Sequence, residues 1–199
     1  MNLTLRHTIS AVILLLSFAA PVSAGPFEDS VVEYDRGDYE NAYRLLLPLA
    51  EQGLPKAQVN LGLMYYYGHG VPQNDIEAEK WFRKAADQGD AFAQHNLGVM
   101  YAHGWGLPQD LVEAVKWYQR AADLGLNDAQ YDLGVMFAKG HGAPQDYVRA
   151  CMWLNLSVAQ GHKNALRERA RIARFMTPAQ VAEADKLARE WKSAVRTSQ

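Results

Sequence analysis

The segment Ala57-Gln58-Val59-Asn60-Leu61-Gly62-Leu63-Met64-Tyr65 recurs without a gap as Ala93-Gln94-His95-Asn96-Leu97-Gly98-Val99-Met100-Tyr101 and as Ala129-Gln130-Tyr131-Asp132-Leu133-Gly134-Val135-Met136-Phe137. A loop of one pattern follows each copy: Gly68-His69-Gly70-Val71-Pro72-Gln73, Gly104-Trp105-Gly106-Leu107-Pro108-Gln109 and Gly140-His141-Gly142-Ala143-Pro144-Gln145. Beyond the loop, Ala78, Ala114 and Ala150 are each followed three residues on by Trp81, Trp117 and Trp153, and the units close on Gly89, Gly125 and Gly161. Every correspondence is spaced by 36 residues. A fixed period of this size marks a stack of small supersecondary units.

The residue types make each unit two helices. In the first, Leu61, Met64 and Tyr65 fall at i, i+3 and i+4, the stripe that one helical face presents to a core. Gly68, Gly104 and Gly140 stand where a left-handed C-terminal cap is needed, and the proline four residues later prevents continuation. The second helix opens on Asn74, Asp110 or Asp146. Glu77 and Glu113 then suggest a reciprocal capping box, which Arg149 would weaken in the third unit. Glycine inside a helix costs ~1 kcal/mol relative to alanine, so Gly62, Gly98 and Gly134 predict close approach of a neighbouring helix backbone.

Flanking segments extend the stack. Ala42 and Gly53 lie 36 before Ala78 and Gly89, so residues 25–56 read as a divergent first repeat joined through Gly37. Residues 57–92, 93–128 and 129–164 are the three full repeats, and residues 165–199 supply C-terminal capping helices and a short tail. In that tail Thr177-Pro178-Ala179-Gln180 starts a helix whose Val181, Ala184, Ala188 and Trp191 form an apolar stripe. Residues 1–24 read as a secretory signal peptide: Arg6 precedes the apolar run Ala11 to Ala20, and small residues lead to Ala24. That run is half the ~20 residues that span a bilayer. Export to the periplasm or the medium, with no stable membrane insertion after cleavage, is the expectation.

These motifs resemble the Sel-1-like repeat family, a branch of the tetratricopeptide-like superhelices, strongly over Ala57 to Asn164 and more loosely from Phe27 to Trp191. The resemblance implies an all-α fold, an α-solenoid of antiparallel helix pairs in a right-handed superhelix. It also implies service as an adaptor or scaffold for protein complexes, in bacteria often in the envelope. Some secreted relatives are associated with β-lactam binding or hydrolysis, but those carry a disulfide in each repeat, and this chain has only Cys151. Cys151 lies between Ala150 and Met152 and reads as a small buried hydrophobe, with pairing between chains as the alternative.

Composition and motifs leave little room for catalysis. No phosphate loop, His-Glu-x-x-His or Gly-x-Ser-x-Gly occurs, and Glu77 and Glu79 point apart on a helix, so no catalytic residue, cofactor or metal is expected. His69 and His141 sit two repeats apart, too far to share one ion, and His103 reads as an exposed helix-end residue. A net charge of −2 without a basic run excludes a nucleic-acid footprint.

The positions of the first helix that do not repeat are free to face a ligand. They are Val59, Asn60, Leu63, Tyr66 and Tyr67, then His95, Asn96, Val99, Ala102 and His103, then Tyr131, Asp132, Val135, Ala138 and Lys139. On the concave side of a superhelix they would form an aromatic and polar groove for a protein or peptide partner, centred on Tyr67, His103 and Lys139. Charge marks a second surface. Residues 25–162 hold 10 basic and 18 acidic side chains, a net −8, whereas residues 163–199 hold 9 and 4, a net +5, with Arg167, Arg171 and Arg174 on one helical face. The expected function is a non-catalytic interaction scaffold, with a cell-wall-directed enzyme or binder of β-lactams or peptidoglycan fragments as the alternative.

Overall fold

The computed structural model describes residues 25–197, so the segment read as a signal peptide lies outside the described residues. Ten helices follow one another: α1 Pro26–Asp35, α2 Tyr39–Glu51, α3 Pro55–Tyr67, α4 Asp75–Ala86, α5 Ala91–His103, α6 Leu111–Asp123, α7 Asn127–Lys139, α8 Tyr147–Ala159, α9 Lys163–Ala173 and α10 Pro178–Thr197. From α1 to α9 each helix packs on the next, which makes an all-α solenoid of helix pairs. Helices of 10 to 13 residues are marginal alone, so their stability comes from this packing.

The core runs as linked clusters between units. Ala57, Leu61 and Met64 of α3 are buried against Ala42, Leu46 and Ala50 of α2, and Trp81 of α4 closes the cluster; Trp117 of α6 does the same for α4 and α5. The repeated tryptophan therefore bolts each unit to its predecessor. The helical glycines explain the close seating within a unit. A Cβ built on Gly62 would come within 2.6 Å of the Phe82 ring, one on Gly98 within 2.6 Å of Tyr118, and one on Gly134 within 2.8 Å of Leu154. What approaches is chiefly a side chain, a ring in two units, and not the neighbouring backbone that the sequence suggested; only at Gly134 does a backbone atom, the Ala150 carbonyl, join in at 3.2 Å.

The loops couple units as well as ending helices. Gly68, Gly104 and Gly140 adopt φ of 71°, 73° and 68°, the left-handed cap. The second loop glycine touches the preceding unit: a Cβ on Gly106 would lie 2.5 Å from the carbonyl oxygen of Asp75, the first residue of α4. The reciprocal capping box is absent. Asn74, Asp110 and Asp146 do accept backbone N–H bonds through their side chains, but their own N–H groups donate to Tyr65, Tyr101 and Phe137 at 2.9, 2.9 and 3.0 Å. Glu77 and Glu113 turn instead to Lys80 and Lys116. Arg149 consequently loses nothing in the third unit and pairs with Asp146 at 3.2 Å. A true box forms at α10, where Thr177 and Gln180 exchange bonds of 2.8 and 3.3 Å.

The repeated glutamine has a role that the sequence did not disclose. Buried Gln58, Gln94 and Gln130 donate through Nε2 to the carbonyls of Ala50, Ala86 and Ala122 at the end of the preceding helix, at 3.0, 3.3 and 3.3 Å. Their Oε1 atoms accept from Gln88 and Gln160 in two units, at 2.8 and 2.9 Å. In the middle unit the register partner is Leu124, 58% exposed, and buried Gln94 Oε1 has no hydrogen-bond partner among the described residues.

At the C-terminal end α9 continues the pattern, but α10 turns onto α8. Ala184 and Ala188 are buried there, and Trp191 meets Trp153 edge-on at 5.9 Å. Cys151 is fully buried beneath this junction, and burial pushes its thiol up. Thiol reagent should label it only when denaturant opens the fold, as mass spectrometry would read. Leu124→Gln should supply the missing donor to Gln94 and stabilise the fold by about 1 kcal/mol, a rise of roughly 2–4 °C in Tm. Gly98→Ala, which at an exposed helical site would add about 1 kcal/mol, should instead destabilise by ~1–3 kcal/mol in thermal or urea melts.

Candidate interaction groove

One side of helices α1, α3, α5, α7 and α9 carries three clefts in a row. The first, about 260 Å³, lies between α1 and α3 and is lined by Ser30, Val31, Tyr34, Leu46, Asn60 and Leu63. The second, about 120 Å³, is formed by Tyr66, Tyr67, Phe82, Asn96, Val99 and Met100. The third, about 450 Å³, is polar; Tyr131, Val135 and Lys139 of α7 face Glu168 and Arg171 of α9 across it, with His141 and Tyr147 at its rim.

The non-repeating positions divide among these clefts. Asn60 and Leu63 line the first, Tyr66, Tyr67 and Asn96 the second, and Tyr131 and Lys139 the third. His95 and Asp132 line none of them. His95 Nε2 and Asp132 Oδ2 are 2.8 Å apart, so these side chains satisfy each other and tie α5 to α7 between the second and third clefts. His103 is exposed and stacks on Trp105 at 4.4 Å. Val59 and Ala138 are mostly spent on packing, being 9% and 3% exposed.

The loops add a row of rings to the rim. His69 stacks on Tyr39 at 4.3 Å and accepts or donates a 2.7 Å hydrogen bond with Tyr34, Tyr67 lies 5.5 Å from His69, and Tyr66 bridges Tyr67 to Trp105 at 4.8 and 5.6 Å. Of these, Tyr67 is the most open, at 57%. Tyr65, facing the preceding unit, is pushed up to about 12 by burial and by its hydrogen bond to Tyr43.

Charge changes along the groove. The first two clefts hold no ionised side chain, whereas Lys139 and Arg171 make the third cationic. Arg171 is held by Glu168 through two bonds, and the guanidinium keeps the Glu168 carboxyl below its usual range. Lys139 makes no hydrogen bond or ion pair with another described residue; its ammonium acts on Glu168 through the field alone. Groups of three or more metal-ligating side chains do not occur among the described residues. Glu77 and Glu79, each ion-paired to Lys80 and Arg83, do not face one another as acid and base.

Sequence reasoning missed Ser30, Tyr34 and Glu168, and it placed Arg171 on a separate basic face and not in this groove. The places of Glu168 and Arg171 were accessible to it, since they stand 36 residues after Asp132 and Val135.

Stacked helix pairs with an open face along one set of helices define the class of α-solenoid repeat proteins. The chain belongs to the Sel1 repeat family, whose model matches residues 33–54, 55–90, 91–126 and 127–162. A Sel1 repeat protein from Oxalobacter formigenes is similar at 34% identity and a TM-score of 0.69, covering 72% of this chain and 59% of that one. The c5321 protein, described as a protective antigen of uropathogenic Escherichia coli displaying an SLR fold, is similar at 27% identity and a TM-score of 0.72, covering 83% and 37%. A chitin synthase regulator of Saccharomyces cerevisiae, SKT5, is 45% identical over 49 residues, 25% of this chain and 7% of that protein. The chain thus spans less than two thirds of the length of each of these relatives. Sel1 repeat proteins are protein-interaction scaffolds, generally without catalytic activity. No described helix is long and apolar enough to cross a membrane.

The His95–Asp132 bond is half-shielded from solvent, with side chains 18% and 33% exposed. A double-mutant cycle with His95→Ala and Asp132→Ala should return a coupling of about 0.5–1 kcal/mol in urea melts.

Proposed function

We propose that this protein is a non-catalytic scaffold of the bacterial envelope that holds a protein partner by a peptide segment lying along the groove of α3, α5 and α7. The observation that carries this reading is the row of three clefts on one helix set, with Tyr67, His103 and Lys139 exposed at successive units. Such a row suits an extended or helical segment whose side chains enter at intervals, apolar ones toward α1 and an acidic one or a terminal carboxylate toward Lys139. Rigid aromatic anchors at the rim lose little side-chain entropy on contact, which makes them suited to carry binding energy. Export rests on the composition of residues 1–24, with cleavage after Ala24 leaving Gly25 as the first residue. The enzymatic alternative lacks support in the geometry, because the carboxylates that sequence offered for it are held in separate ion pairs.

Affinity capture from envelope extract, read by mass spectrometry, should return a defined partner with the wild-type chain. The same capture with the triple variant Tyr67→Ala, His103→Ala and Lys139→Ala should lose it, since removing an exposed aromatic anchor typically costs 2 kcal/mol or more of binding, about thirtyfold. All three side chains are exposed, so the thermal melt should stay within a few degrees of wild type. Retained capture by the variant would remove the groove from consideration.

A further inference from the structure

We infer that the two ends of this solenoid are complementary docking surfaces for one another, so that copies associate head to tail. The charge is polarised by position. Residues 25–54 hold 7 acidic and 2 basic side chains, a net −5, and residues 163–199 hold 4 and 9, a net +5. The intervening units hold 11 and 8. Equal and opposite ends on one rod favour encounter of the head of one copy with the tail of another, and oppose head-to-head and tail-to-tail approach.

Each end also presents an unpartnered helical stripe. On α1 the residues Glu28, Val31, Val32 and Asp35 fall at i, i+3, i+4 and i+7 and are all exposed, the two valines at 37% and 45%. Among the described residues α1 packs chiefly on α2, and no described helix precedes it as α2, α4 and α6 precede α3, α5 and α7. At the other end α9 packs chiefly on α8, and α10 turns to α8 instead of pairing with α9. Ala170 records the consequence. It stands 36 residues after Gly134, which is buried against Leu154, yet Ala170 is exposed. Leu166, Arg167, Ala170, Arg171 and Arg174 are therefore open on one side of α9, with Leu166 at 57% and Phe175 beyond at 62%.

The two stripes match in kind, valines between carboxylates against small apolar groups between guanidiniums. Among the described residues Arg167 and Arg174 make no ion pair, and neither do Glu28 and Asp35, so both sets have charge to offer a second copy. Contact between a head and a tail is heterologous, and a rod that docks this way extends into an open array unless its curvature closes it. The surface involved borders the groove at both ends, since Val31 lines the first cleft and Arg171 the third, and it leaves Tyr67 and His103 outside the contact.

Sedimentation velocity and light scattering on the purified protein, across concentrations up to about 1 mM, test this directly. At low salt the weight-average mass should climb to at least twice that of the monomer. At about 1 M salt, where the Debye length is roughly 3 Å, the association constant should fall at least tenfold. A tail variant, R167E/R174E, and a head variant, E28K/D35K, should each associate at least tenfold more weakly than wild type, because reversal cuts the net charge of that end to +1 or −1 and sets like charges opposite one another on the two stripes. Mixed together, the two should associate again, since each then meets an opposite end. Circular dichroism and thermal melts confirm that the variants fold, and R167Q/R174Q, which removes charge without adding like-charge contacts, serves if the reversal disturbs α9. A wild type that is monomeric at low salt, assembly untouched by either reversal, or a mixture that stays monomeric would each overturn the inference.

Discussion

Helix seating without a Cβ governs this molecule. Where Gly62, Gly98 and Gly134 face Phe82, Tyr118 and Leu154, the first helix of each unit lies so close to the second that no larger residue fits without displacement. That separation sets where the loop must turn, and the second loop glycine then abuts the opening residue of the previous unit's second helix. The buried glutamine reaches back across the same boundary to a helix-end carbonyl that also accepts from the N–H of the glycine closing the unit. One contact thus seats the two helices of a unit, and two more of different chemistry fix one unit on the next. A stack held so firmly on one side leaves the opposite side of α3, α5 and α7 free of structural duty.

Variation on that free side is what gives the groove its character. Conserving the seating while changing Asn60, Asn96 and Asp132, or Tyr67, His103 and Lys139, alters the lining without moving the helices. The result is two clefts lined by apolar and neutral polar side chains, a hydrogen-bonded bridge at His95 and Asp132, and a third cleft with two cations. The same tolerance has a cost at the unit boundary. Leu124, placed where two other units have glutamine, leaves Gln94 Oε1 buried and unmatched, an arrangement that weakens the middle of the stack by the desolvation of one amide oxygen.

The period, the helix pairs and the loop caps were legible in the sequence because glycine, proline and small-residue positions act locally and repeat with fixed spacing. What was not legible depends on partners distant in space. Glu77 and Glu113 looked like half of a capping box, yet the amide they would serve is already taken by Tyr65 or Tyr101 at the end of the first helix. The glutamine at positions 58, 94 and 130 has a backbone carbonyl for a partner, which leaves no trace in side-chain pattern. In the groove the residues of α3, α5 and α7 were found by asking which positions fail to repeat. That question has no answer at α1, where the loop is shortened and the register with α3 is lost, and so Ser30 and Tyr34 went unseen. His69 and Trp105 read as loop punctuation, whereas the fold assembles them with four tyrosines into a row of rings.

A solenoid has no natural end, and each terminus must answer for the helix that does not follow. Here the C-terminal answer is partial. Trp191 and the two alanines of α10 cover α8, where Trp153 and Cys151 would otherwise meet water. Covering α8 draws α10 away from α9, so the last first-type helix keeps an open flank. Arginines on that flank hold it in solution by hydration and charge, while carboxylates do the same for α1. Opposite signs at the two flanks solve solubility at each end separately, since like ends repel. They leave unlike ends attractive, and in a rod that attraction has one direction in which to act.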